Sequence, residues 1–91
     1  MTPRPFDADE HAVFKWFEHV RAGHTAAVRT ALKSLQLTPA SRDEFGNSIL
    51  IIAAETNDRD MARLAFKFGV DVNFTNFSGN SALHVAFANG M

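Results

Sequence analysis

Four histidines, His11, His19, His24 and His84, are the side chains of this sequence best suited to hold a metal or move a proton near neutral pH. No two of them stand as an i, i+4 pair on one helix face, and their spacing fits no zinc signature. There is no cysteine, which removes disulfides, zinc–thiolate sites, iron–sulfur clusters and thiol nucleophiles. Paired carboxylates could serve as general acid and base, and Asp7, Asp9 and Glu10 offer themselves. They crowd what reads as a helix N-terminus, where the helix dipole already accounts for them. Glu55, Asp58 and Asp60 fall around a turn between two helices and read as solvated. The glycines at 23, 46, 69, 79 and 90 stand singly and build no phosphate-cradling loop. The expectation is a chain with no catalytic residue, no metal site and no cofactor: not an enzyme.

The chain has nine Lys and Arg against ten acids, a net charge of −1, and cations such as Arg4, Arg21, Arg29, Lys33, Arg42, Arg59, Arg63 and Lys67 are scattered among the acids. That balance gives no general attraction to nucleic acid or to an anionic membrane, and neither is an expected partner. A modest basic ridge would form if Arg29, Lys33, Arg63 and Lys67 stacked on neighbouring outer helices. The longest apolar run, Ile49 to Ala54, is far short of the roughly 18 residues of a membrane span. No apolar stretch of signal type follows Met1 to Pro5, and with no cysteine the expected location is cytoplasmic or nuclear.

The elements that must position these residues read as short helices. The whole chain has 91 residues, enough to bury about two-thirds of its unfolded surface in one small core, and too few for a multidomain enzyme. The first helix opens at Asp7, with Asp7 and Glu10 at capping-box spacing, and runs to about Arg21, burying Val13, Phe14, Phe17 and Val20. The second runs from Thr25, a cap candidate, to about Leu35. The third, Ile49 to Glu55, is apolar nearly all round and should lie buried between neighbours. Ser48 caps it, as Ser81 caps its later counterpart. Asn57 supplies a left-handed stop. The fourth runs from Arg59 to Phe68, with Met61, Leu64, Ala65 and Phe68 on one face and Gly69 as its stop.

An internal repeat orders these elements. Gly46-Asn47-Ser48-Ile49-Leu50-Ile51-Ile52-Ala53-Ala54 recurs as Gly79-Asn80-Ser81-Ala82-Leu83-His84-Val85-Ala86-Phe87, with Gly, Asn, Ser, Leu and Ala in identical places. Asp43 and Asn76 repeat ahead of it at the same interval. Helix pairs therefore recur with a period of about 33 residues, the arrangement of a stacked solenoid.

These residues carry a resemblance to the ankyrin repeat family, whose pattern runs Asp-x-x-Gly-x-Thr-Pro-Leu-His-Leu-Ala-Ala, then an amphipathic helix, then Gly-Ala-Asp-Val-Asn. The segment from Asp43 to Ala54 follows that pattern, Gly69-Val70-Asp71-Val72-Asn73 follows its end, and Asn76 to Phe87 follows it again with His84 kept. Arg21-Ala22-Gly23-His24 resembles the turn of a divergent N-terminal capping unit. The implied fold is an all-α solenoid of helix-turn-helix repeats with hairpin-like loops, a single domain over 1–91 with units at about 9–42, 43–75 and 76–91. The last unit lacks its second helix, which leads us to expect a piece of a longer repeat protein or a self-covering end. Two departures stand out. Proline is missing from the helix starts, at little cost. Ile51 replaces the histidine that ties adjacent loops in the family, so apolar packing should take its place.

The resemblance implies a non-catalytic protein-interaction module whose partner meets the loop tips and the concave face of the first helices. Carried over by position, the partner-binding residues are Arg42, Glu44, Phe45 and Asn47 on one loop, and Thr75, Phe77, Ser78 and Asn80 on the next. Glu55 and Thr56 at the concave helix end complete the set, with Arg21 a weaker member. Nine phenylalanines are many for so small a core. Phe14, Phe17, Phe66 and Phe68 lie on helices, Phe66 without a clear place in the core. Phe45, Phe74 and Phe77 stand in the loops, either as exposed anchors or folded back on the neighbouring loop. Two other readings stay open: an assembly element that self-associates through a C-terminal face of Leu83, Val85 and Phe87, and a regulatory N-terminal domain of a longer enzyme.

Overall fold

The computed structural model describes the backbone of residues 5–89 and the side chains of residues 13–86. Five helices follow in order: α1 Pro5–Ala22, α2 Thr25–Lys33, α3 Ile49–Glu55, α4 Arg59–Lys67 and α5 Ala82–Asn89. The described residues form no strand, and a single isolated antiparallel bridge joins Thr75 to Ser81. α1 and α2 form one helix hairpin and α3 and α4 the next. α1, α3 and α5 stack as one layer, and α4 stacks on α2 as the other. The result is an elongated body of 48 × 28 × 21 Å, as expected when each unit touches only its neighbours.

The core lies between the layers. α3 is buried from Ile49 to Ala54, as its all-round apolar sequence predicts. Phe17 and Val20 of α1, Val28 and Leu32 of α2, and Met61, Leu64 and Ala65 of α4 close around it. Ile51 is fully buried, so apolar packing does replace a polar loop tie there. Val13 and Phe14, expected inside, are only half-buried, because α1 has no preceding unit against its outer side among the described residues.

Every helix that is followed by a described turn stops in the same way. The residues Gly23, Leu35, Asn57 and Gly69 all have positive φ, at 77°, 63°, 57° and 84°. The amide one step beyond each reaches back to a free carbonyl of the last turn: His24 to His19, Gln36 to Ala31, Asp58 to Ala53 and Val70 to Ala65, all at 2.8–3.0 Å. Three of these stops are legible as Gly or Asn. Leu35 is not, and α2 ends at Lys33, earlier than the spacing suggests. A left-handed leucine costs about 1–2 kcal/mol. The turn it makes aims Leu37 into the core, where Leu37 is fully buried, and burying a leucine is worth about 1.5–3 kcal/mol, which offsets the strain.

At the N-termini, Ser48 accepts a bond from the Ile51 amide at 3.2 Å and Asp58 one from Met61 at 3.0 Å. Thr25 does not cap α2. It is the first residue of the helix, its hydroxyl bonds the Gly23 carbonyl, and His24 holds the cap position without a side-chain bond. α1 begins at Pro5, ahead of Asp7, as suits a proline whose missing N–H would have no partner there. The side chains of Asp7 and Glu10 lie outside the described residues.

Candidate functional site

Asp43 organises the first described loop. Its Oδ1 accepts the backbone amides of Phe45 at 2.9 Å and Asn47 at 2.8 Å, which folds the chain back on itself. Its Oδ2 accepts the Asn47 side-chain amide at 3.1 Å and the guanidinium of Arg21. Asn76 repeats the device: its Oδ1 accepts the amides of Ser78 and Asn80, both at 3.0 Å. The two loops are then tied together. Asn76 Nδ2 donates to Asn47 Oδ1 at 2.9 Å, and the Phe77 amide donates to the Phe45 carbonyl at 3.1 Å. A continuous chain of polar contacts thus runs from Arg21 through Asp43 and Asn47 to Asn76, holding three successive units in register.

Asn47 therefore changes role. It was expected at the partner-facing surface, but it is buried, with its amide committed to Asp43 and its carbonyl to Asn76. Its position belongs to the scaffold. The sequence signal of this network is the shared interval of Asp43 with Asn76 and of Asn47 with Asn80.

What the network presents is an aromatic surface. Phe45 is 61% exposed and Phe77 is 75% exposed. Their backbones are bonded to each other, so the two rings project from adjacent loop tips. The Phe77 ring lies over Gly46: a Cβ added there would stand 2.7 Å from Phe77 Cδ1. The ring is thus exposed on one face and folded back on the neighbouring loop with the other. Phe74 is half-buried beneath Arg42, whose guanidinium carbon sits 4.3 Å from the ring centroid. Glu44, Thr75, Ser78 and Asn80 are exposed around these rings.

Glu55 and Thr56 are exposed, but at the C-terminal end of α3, about 10 Å along its axis from the end the loops enter. Thr56 turns its hydroxyl onto the Ile52 carbonyl at 2.9 Å. Arg21 is held by Asp43, which makes it a strut between units. His84 bonds Ser81 inside its own unit, Nδ1 lying 2.9 Å from the Ser81 hydroxyl.

Spacing alone kept His19 and His24 apart, yet the turn at Gly23 brings their Nδ1 atoms to 3.0 Å, beside Trp16. Among the described residues no group of three or more His, Asp or Glu side chains could hold a metal ion. On the opposite layer Arg29, Arg63 and Lys67 line one shallow cleft with Asp60, so most of the expected basic ridge forms; Lys33 lies outside that lining. No helix among the described residues is long and apolar enough to cross a membrane.

A family model described as ankyrin repeats, occurring in many copies, matches residues 37–86. The chain belongs to the ankyrin-repeat family. A search of curated proteins finds no match. The family match begins at Leu37, beyond α2. The α1–α2 pair has left-handed stops like those of the matched unit and packs on it helix for helix. Ankyrin repeats are typically non-catalytic and generally mediate protein–protein interaction.

Proposed function

We propose that this ankyrin-repeat chain is a non-catalytic interaction module that engages a protein partner through its loop tips. The observation that carries the reading is the pair of exposed rings, Phe45 and Phe77, held side by side on a hydrogen-bonded scaffold. Exposed aromatics on a rigid support make favoured anchors, because their burial costs little conformational entropy. Arg42, Glu44, Thr75, Ser78 and Asn80 form the polar rim that fixes orientation, and Glu55 and Thr56 extend the contact along the concave face.

Burying the exposed part of each ring is worth about 1–2 kcal/mol. The double change Phe45→Ala with Phe77→Ala should therefore weaken a partner captured by the wild-type chain by at least about 2 kcal/mol, roughly 30-fold in Kd. Far-UV circular dichroism should be unchanged, since neither ring is part of the core. Unaltered affinity in the double variant would remove the loop tips from the interface.

A further inference from the structure

The layer formed by α2 and α4 carries a concentration of charge that the loop tips do not use. α2 has no acidic residue and α4 has one, Asp60. Between the two helices lies a shallow cleft of about 410 Å³, lined by Thr25, Arg29, Asp60, Arg63, Leu64 and Lys67 among others. Three cations thus meet one acid there, in a chain whose net charge is −1. All four charged residues are exposed, and none of their side chains has an ion-pair or hydrogen-bond partner among the described residues. Asp58, the next acid along the chain, is committed to capping α4, where its Oδ1 accepts the Met61 amide at 3.0 Å.

Repeat register explains the clustering. Leu35 and Gly69 make the same left-handed stop after α2 and α4. Counted back equally from those stops, Arg29 aligns with Arg63 and Lys33 with Lys67. Stacked helices stand about 8–10 Å apart, which sets the backbone spacing of Arg29 and Arg63 across the cleft. Lys67 stands one turn beyond Arg63, about 5–6 Å along α4. Positive charge spread along an open cleft suits several anionic groups on one strand better than a single phosphoryl group. In an extended chain, alternate side chains lie about 6.5–7 Å apart on one face. Acidic residues at i, i+2 and i+4 therefore span the three cations, and each guanidinium takes a carboxylate through paired N–H donors. Nucleic acid fits less well, because no aromatic side chain lines the cleft to stack a base and Asp60 opposes a continuous run of phosphates.

We propose that the cleft between α2 and α4 receives an extended acidic segment of a protein partner, whose carboxylates meet Arg29, Arg63 and Lys67. Leu64 and the stems of the three cations form its floor. This surface is separate from the loop tips and can be tested apart from them.

The probe is an end-capped peptide of about eight residues, alternating glutamate and serine to match the spacing of an extended strand. It is titrated at low salt into the isotope-labelled chain and followed by two-dimensional NMR. Amide shifts should concentrate on α2 and α4. Exposed charge pairs are individually weak, so Arg29→Gln and Arg63→Gln should each weaken binding about two- to fivefold, and the double variant at least about fivefold. Asp60→Asn should tighten it about twofold, a gain that a misfolded variant cannot imitate. Lys15→Gln removes an exposed cation of α1 outside this lining and should leave binding unchanged. Raising salt from about 0.02 to 0.15 M should weaken binding at least about fivefold. Shifts centred on the loop tips, affinity unaltered in the double arginine variant, or no binding of the acidic peptide overturns the proposal. Equal binding of a serine peptide bearing one phosphoserine would make the cleft a phosphate site, and equal binding of an oligouridine of similar length would make it a nucleic-acid site. Either result overturns it as well.

Discussion

Replacing Asp43 with alanine should cost about 3–5 kcal/mol of stability. Asp43 is 3% exposed and its carboxylate takes four donors. The amide and side chain of Asn47 are buried with it, and each donor left without an acceptor costs about 1–3 kcal/mol. The Phe45 amide belongs to an exposed residue and recovers much of its loss from water. The Arg21 side chain is 40% exposed, so the ion pair adds about 1 kcal/mol or less. Against a total of about 5–14 kcal/mol for a domain of this size, the loss approaches unfolding. Urea titration followed by far-UV circular dichroism reads it directly: with m of about 1–1.5 kcal/mol/M the midpoint should fall by at least about 2 M. Asp43→Asn keeps Oδ1 for the two backbone amides and should lose only about 1–2 kcal/mol. A loss below about 1 kcal/mol in Asp43→Ala would show that the loop amides are satisfied without the carboxylate. The polar chain from Arg21 to Asn76 would then not be what holds the units in register.

Two backbone substitutions test other parts of the same scaffold. Leu35→Gly should stabilise by about 1 kcal/mol and raise Tm by about 4–8 °C in calorimetry, because it relieves a left-handed leucine whose side chain is 79% exposed; a lower Tm would mean the exposed side chain matters after all. Gly46→Ala should destabilise by about 1–2 kcal/mol, from its φ of 79° alone. The new Cβ would also displace the Phe77 ring, so partner affinity should fall along with stability; a drop in stability with full affinity would detach that ring contact from binding.

The parts of this fold that the sequence spells out are those governed by local rules. α3 reads correctly to both ends because Ser48 caps it, apolar residues fill it and Asn57 follows. Leu35 defeats that reading, since nothing local marks a leucine for φ of 63°; the demand comes from Leu37, which the core draws in from beyond the turn. Asn47 differs from its sequence expectation for a related reason. At a loop tip an asparagine looks available, and only the stacking of the next loop gives its carbonyl a partner in Asn76. His19 and His24 likewise meet only because the chain reverses at Gly23. Composition and interval single out the loop phenylalanines, but which face of Phe77 is covered depends on Gly46 lacking a side chain, a fact of packing between repeats.

The measurement that bears most directly on the interaction surface is site-specific photo-crosslinking in cells. A diazirine amino acid would be placed in turn at positions 45, 77 and 33, the last on the exposed outer side of α2. The loop-tip account predicts one protein adduct shared by positions 45 and 77, and absent at 33. An adduct at 33 with none at 45 and 77 would contradict it.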